Sequence, residues 1–215
     1  MSYYLFDGVQ QISAAEAYNF YESNHYLGRS SARNWFHSGL IENHRLVGAV
    51  SFGYPAAPPV IDACFNDRDD YKIRELVRLA ANSNKTPLSS FVMSSVKSYC
   101  KIKKVDALIS YADTGYHHGG IYQACSWLYL GETKPTQRFI DQNGRHQHRR
   151  NNGRNISSIE AFERGLTSCT TTKYRYLYLY KRNKRALMRR LKYDVLRYPK
   201  VKNADQDPRV IHRST

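Results

Sequence analysis

The chain has 215 residues, 41% of them hydrophobic. That suffices for one sizeable α/β domain with a core, and it excludes a chain disordered throughout. Thirty-three Lys and Arg against 18 Asp and Glu give a net charge of +15, which favours a polyanionic partner: DNA, RNA or an anionic membrane surface.

Residues 13–22 read as a first helix, with Ser13 as cap and Glu16 at capping-box spacing. Residues 45–52 (R-L-V-G-A-V-S-F) read as a strand ended by Gly53 and the proline-rich segment 55–59. A short strand is expected at 60–65 and a polar turn at 66–70. Residues 71–81 (Y-K-I-R-E-L-V-R-L-A-A) fit either a helix or a strand that bulges. Residues 89–99 read as a helix with a polar cap. Residues 106–112 (D-A-L-I-S-Y-A) read as a buried strand ending at Asp113. A helix follows over 119–127, then a strand over 127–131.

Residues 134–155 hold six Lys or Arg with little apolar content and read as a long polar loop or insertion. Residues 174–181 (Y-R-Y-L-Y-L-Y-K) alternate with period two and predict a strand, tyrosines on one face and Arg175, Leu177 and Leu179 on the other. Residues 184–197 read as a basic helix anchored by Leu187, Leu191 and Leu196. These elements predict a three-layer α/β domain over 1–200, a central mixed sheet flanked by helices, with a polar, loose tail at 201–215.

No apolar run is long enough to span a membrane, and residues 1–8 lack a basic-then-apolar leader pattern. Cys64, Cys100, Cys125 and Cys169 form no metal-like pair. Reduced thiols in a cytoplasmic protein are the expectation.

The positive charge is clustered. Arg145, Arg149, Arg150 and Arg154 lie in one ten-residue stretch with Gln147, Asn151 and Asn152. Guanidinium groups grip phosphates with paired hydrogen bonds, so this stretch suits a duplex backbone. The alternative is a basic loop that binds nothing specific. Arg189 and Arg190 extend the basic surface, or belong to an amphipathic helix facing a membrane or a protein. A tyrosine count of 18 allows stacking on an extruded base, though most tyrosines should pack internally.

In open α/β sheets ligands sit beyond the carboxyl ends of the strands. Two segments meet that condition: E-L-V-R-L-A-A-N-S-N-K-T-P-L-S-S and Y-A-D-T-G-Y-H-H-G-G-I-Y-Q-A. Asp113 is a proton acceptor for an attacking amine, or a turn residue. Arg78 binds a phosphate or carboxylate, or pairs with Glu75. Ser89 and Ser90 donate to a phosphate or simply cap their helix. His117 and His118 are acid–base groups or metal ligands; adjacent side chains point apart, and no spacing compels the iron-type metal they leave room for. Tyr122 orients a base or protonates a leaving group, or packs in the core.

The run Y-A-D-T-G-Y-H-H-G-G-I-Y-Q-A-C-S-W-L-Y-L-G-E-T, with the upstream E-L-V-R-L-A, resembles the Mom family of phage DNA-modification proteins over roughly residues 40–182. The resemblance implies a GNAT-like acyltransferase fold and conversion of adenine in DNA to a form carrying a carbamoylmethyl group on its exocyclic nitrogen. That product shields phage DNA from restriction. The matching positions are Arg78, Asp113, His118, Gly119, Tyr122 and Gln123. They imply Asp113, Tyr122, Arg78 and His118 as catalytic residues. Arg78, Ser89, Ser90, Gly119 and Gly120 form the expected donor site, and double-stranded DNA is the partner.

The chain departs from the wider acyltransferase pattern in one loop. Acetyl-CoA enzymes of that fold use a glycine-rich loop whose amides approach the pyrophosphate. Here the corresponding residues, N-S-N-K-T-P-L-S (82–89), contain no glycine, and Pro87 has no amide hydrogen. An acetyl group also lacks the nitrogen of the product. A glycine-derived donor such as an aminoacyl-tRNA is therefore expected over acetyl-CoA, although its acyl link would have to be rearranged. Two other readings stay open: a non-catalytic nucleic-acid-binding protein, and an acyltransferase acting on a small molecule or a protein.

Overall fold

The computed structural model describes residues 4–6, 8–25, 34–55, 59–66, 71–83, 86–142, 146–147, 150–151 and 154–199. The turn expected at 66–70, apart from Asn66, and the tail beyond 200 lie outside them.

The elements in chain order are β1 (Tyr4–Phe6), β2 (Val9–Gln11), α1 (Ala14–Asn24), β3 (Asn34–Glu42), β4 (Arg45–Gly53), α2 (Pro59–Cys64), β5 (Ile73–Ala81), α3 (Leu88–Lys103), β6 (Ala107–Asp113), α4 (Gly120–Ala124), β7 (Leu128–Glu132), β8 (Thr136–Ile140), β9 (His146–Gln147), β10 (Arg150–Asn151), β11 (Arg154–Asn155), α5 (Ser158–Glu163), β12 (Thr167–Thr171), β13 (Lys173–Leu179) and α6 (Lys184–Arg190). Eight strands form one sheet in the order β1-β2-β3-β4-β5-β6-β13-β7. Its pairs are antiparallel except β5–β6, which is parallel.

Strand alternation sends neighbouring residues to opposite faces and so builds three layers. On one face, Val50, Leu76, Leu108 and Tyr176 pack with Phe91, Val92, Val96 and Tyr99 of α3 and Tyr122 of α4. On the other, Ala49 and Ala80 meet Ala17, Phe20 and Tyr21 of α1. Further along that face, Ile73, Ile109, Leu177 and Leu179 meet Ile61 and Cys64 of α2 and Leu187 of α6. The expected mixed sheet flanked by helices is therefore present.

Several elements match their sequence signals. Ser13 caps α1 in a capping box with Glu16. The ambiguous segment 71–81 is a strand, and it bulges. Ser51 pairs with Arg78 while Phe52 pairs with Leu76, so the register slips at Val77. The bulge mixes the two periodicities that made this segment look helical. In β13, Leu177 and Tyr176 enter opposite cores, as the alternation requires.

Other expectations are corrected. Residues 60–65 are not a strand: α2 begins at Pro59, which suits a first helical position, and Ile61, Cys64 and Phe65 bury one helical face. α3 starts at Pro87 without a side-chain cap, so its expected polar cap is absent. The helix expected over 119–127 is only five residues long and gives way at Ser126, whose φ is 56°. α6 stops at Arg190, because Leu191 and Leu196 instead form bridges with Phe65 and Tyr129 at the sheet margin.

Residues 134–155 are not simply a loop. β8 pairs with β12, which lies just before β13, and with β9. Since β7 also pairs with β13, β7–β8 and β12–β13 run as one hairpin ribbon past the sheet. The ribbon carries its own small core of Phe139, Ile156 and Ala161. Its strands are short and polar, with few apolar positions to set a period, which is why the sequence pattern hides them.

Candidate active site

β5 and β6 pair only from Ile73–Ala107 to Glu75–Ile109. Beyond that point the two parallel strands separate. The Ser110 hydroxyl lies at the parting, 2.8 Å from the Leu76 carbonyl, to which it donates, and 2.8 Å from the Tyr122 hydroxyl. A cleft of about 490 Å³ opens there. It lies at the carboxyl ends of both strands, where the sequence argument placed it.

Arg78, Asp113, Gly120 and Tyr122 all line this cleft, together with His117. Among the lining side chains that sequence did not single out as site residues are His25, Glu75, Arg138 and Lys173. His25 ends α1. Arg138 lies in β8, within the segment expected to be a loop. Lys173 opens β13 directly opposite Asp113. Each reaches the cleft through tertiary pairing, and no local motif marks it.

Asp113 is only 3% exposed. Its Oδ1 accepts a hydrogen bond from the Gly115 amide at 3.0 Å, and its Oδ2 lies 3.0 Å from Arg138 Nη1. The carboxylate is thus both a turn residue and an anchor for the ribbon. A buried ion pair of this kind is costly to break from one side, because the remaining charge stays without compensation.

Arg78 Nη1 lies 3.4 Å from His25 Nδ1. Because arginine only donates, this nitrogen of His25 is the acceptor and its proton resides on Nε2. Burial first, then the charges of Arg78 and His117, push the His25 imidazole down to about 3. Loss of solvation also lowers His117, with Asp113 pulling the other way. Both rings favour the neutral state.

Tyr122 packs against Trp127 and Tyr176, with ring centroids 5.2 and 5.0 Å apart. It forms the wall of the cleft as well as part of the core. Gly119 is required by the backbone: its φ is 78°, and a Cβ would collide with the Tyr176 ring. Gln123 Nε2 donates to the His118 carbonyl and the Tyr176 hydroxyl, at 3.2 Å each, so it braces the turn before α4. His118 and His117 part as adjacent side chains should. His117 lines the cleft, whereas the His118 ring rests against Gly120. Ser89 and Ser90 sit in the first turn of α3, and Leu88 is the α3 residue that lines the cleft.

Of the basic candidates, Arg145 and Arg149 lie outside the described residues. The backbones of Arg150 and Arg154 belong to the paired strands β10 and β11. Arg189 and Arg190 end α6, which follows β13 at the end where Leu179 pairs with Ala107. That is the opposite end of β6 from Asp113, roughly 20 Å away at the rise of a strand. The Arg190 guanidinium lies over the Tyr71 ring, 5.0 Å from its centroid.

The Mom protein family matches residues 8–200. The chain belongs to that family. No curated protein matches the sequence. Among solved structures it is similar to the ribosomal-protein-S5-alanine acetyltransferase from Vibrio fischeri, with 10% identity and a TM-score of 0.47, covering 85% of this chain and 98% of that one. A Bacillus subtilis acetyltransferase in complex with CoA gives 12% and 0.45, covering 80% and 97%. The ribosomal-protein-S18-alanine N-acetyltransferase from Escherichia coli gives 10% and 0.43, covering 83% and 94%.

A CoA pyrophosphate would need free donors between β5 and α3. The Ser83 and Thr86 hydroxyls each donate to Glu42 Oε1 at 2.6 Å, and the Thr86 amide donates to the same oxygen at 3.1 Å. A carboxylate already fills the position of an anion, and Pro87 offers no amide. The described part of this loop does not fit a pyrophosphate. Among the described residues no group of three or more His, Cys, Asp or Glu is placed to hold a metal.

Proposed function

We propose that this chain transfers a glycyl group to the exocyclic nitrogen of adenine in duplex DNA, and that this acyl link rearranges to the isomeric carbamoylmethyl group, shielding phage DNA from restriction. The observation that carries this reading is the convergence of Arg78, Asp113 and Tyr122 on one cleft in a member of the Mom family. The net charge of +15 supports a nucleic-acid partner.

Adenine inside a duplex cannot reach a cleft between strands, so the base leaves the stack and enters it. Tyr122 bounds the space it would occupy. Arg78, held beside the neutral His25, offers a cation to the donor. Asp113, tied to Arg138, positions the ribbon over the cleft and sets the local field. Arg145, Arg149, Arg150 and Arg154 hold the phosphate backbone. Donor recognition bypasses a pyrophosphate cradle, which favours a glycine-derived donor such as an aminoacyl-tRNA over acetyl-CoA. The enzyme works in the cytoplasm of the host, where its DNA substrate lies; its four cysteines are unpaired thiols.

Nucleoside mass analysis of DNA from cells expressing the protein tests the reading. Cells fed isotope-labelled glycine should yield a heavier adenine derivative that carries the label. Unmodified DNA bound tightly and salt-sensitively would instead make this a non-catalytic binding protein. A modified protein or small molecule beside unmodified DNA would make it an acyltransferase of another kind.

A further inference from the structure

Five ionic side chains line the cleft: Glu75 and Asp113 against Arg78, Arg138 and Lys173. Two carboxylates balance two guanidiniums, and the guanidiniums keep their protons at any ordinary pH. Lysine is therefore the one cation that can restore neutrality by losing a proton. Its partner across the strands is Asp113, and directly opposed residues face the same side. Yet the Asp113 carboxylate is already engaged by Arg138 and by the Gly115 amide. The Lys173 Nζ instead stands 5.8 Å from the centroid of the Tyr111 ring, in the same cleft. Burial, then the charge of Arg138, lowers its ammonium pKa; Asp113 and Glu75 oppose this, and Arg78 adds to it. His25 and His117 contribute little positive charge, since both are held below their usual range.

The proposed reaction requires a base. The exocyclic nitrogen of adenine bonds to the carbonyl carbon of the glycyl ester, the ester carbon–oxygen bond breaks, the tRNA hydroxyl oxygen leaves with the electron pair, and the nitrogen must shed a proton; the resulting glycyl amide then rearranges to its carbamoylmethyl isomer. Asp113 suits this task less well than its sequence position suggested, because its two oxygens serve the turn and the ribbon. We propose that Lys173 is the base of the cleft, taking that proton on its neutral amine as the new carbon–nitrogen bond forms. The role rests on the DNA-adenine reading above. Asp113 then acts as a positioning residue, drawing Arg138 into the cleft beside Lys173.

Two measurements on the full chain test this. In wild-type protein, competitive acetylation at a series of pH values, read by peptide mass analysis, should show Lys173 becoming reactive at lower pH than an Nα-acetyl-lysine control. Titration alongside that control would overturn the proposal. In the second measurement, Lys173→Arg keeps a long basic side chain but holds a permanent charge that cannot accept a proton. It should lower single-turnover modification of saturating duplex DNA by about 100-fold or more, with DNA affinity within twofold. Lys173→Ala should regain activity with added ethylamine, a rescue that a purely structural role would not give. An active Lys173→Arg, or a Lys173→Ala that ethylamine leaves unchanged, would sink the role while leaving the function standing. Wild-type protein that modifies no adenine would remove the function itself, whatever the amine does.

Discussion

The segment 134–155, which supplies β8 of the ribbon, and the α6 segment are both rich in arginine, but the fold uses their described arginines differently. The ribbon sends Arg138 into the cleft and ties it to a carboxylate that is 3% exposed. At the other end of β6 and β13, the Arg190 guanidinium lies on the Tyr71 ring, 5.0 Å from its centroid. Sequence charge does not distinguish the two. Placement does: Arg138 lines the cleft, and Arg190 rests on the Tyr71 ring and fastens α6.

The largest effect should come from breaking the link between ribbon and cleft. Asp113→Asn should abolish detectable adenine modification, a loss of about 100-fold or more, while DNA affinity in a filter or fluorescence assay stays within threefold. Arg138→Ala leaves a buried carboxylate without its partner and should cost nearly as much. The double variant should be little worse than either single one, since both remove the same contact. Additive losses would mean that the two side chains act separately, and the ribbon would then be no part of the site.

Next in size is the DNA-binding contrast. Arg150→Ala and Arg154→Ala should each weaken binding to all duplex sequences and reduce the salt slope by about 1. Arg189→Ala, at the far end of the sheet, should change both quantities less. Equal effects from the two sets would join them into one DNA surface and erase the distinction.

Much of the scaffold was legible in sequence because local physics writes it there. The Ser13–Glu16 box, the alternating tyrosine strand and the buried strand before Asp113 all carry period or capping signals. The bulge at Val77 was legible only as an ambiguity. Arg78, Asp113 and Tyr122 stood out because they flank strand ends or a helix start. His25, Arg138 and Lys173 did not, since what places them is pairing between distant segments: β8 with β12, β13 with β6, and α1 over the sheet. The Glu42 contacts with Ser83 and Thr86 span more than 40 residues and have no local signature at all.

Acid should act first on the cleft end. His25 is held at about 3 and His117 is also lowered, so the folded state favours neutral rings where the unfolded chain would bind protons. The unfolded state thus takes up more protons below about pH 6.5, and stability falls as pH drops from there towards the folded value. Hydrogen exchange should show protection around α1 and residues 113–118 declining between pH 7 and 5, with α6 less affected. His25→Gln should flatten that decline. A uniform loss across both ends would show that the histidines of the cleft are not its source.

The smallest effect separates binding from fastening at a single side chain. Arg190 lies in the last turn of α6, its guanidinium over Tyr71 and its carbonyl accepting a hydrogen bond from the Asn66 amide at 2.8 Å. Arg190→Ala removes the ring contact but not the backbone bond. A cation over an aromatic face contributes about 0.5–1 kcal/mol at an exposed site, so thermal unfolding should shift by only a few degrees. If Arg190 fastens α6 to the sheet, that shift comes with unchanged DNA affinity. If it binds a phosphate, the affinity and its salt dependence fall while the melting temperature stays put. Tyr71→Leu keeps the apolar packing and removes the ring's charge distribution, so it should reproduce the first outcome without touching the second. Agreement between the two variants would assign this arginine to the fold and leave the proposed DNA contacts to residues 145–154.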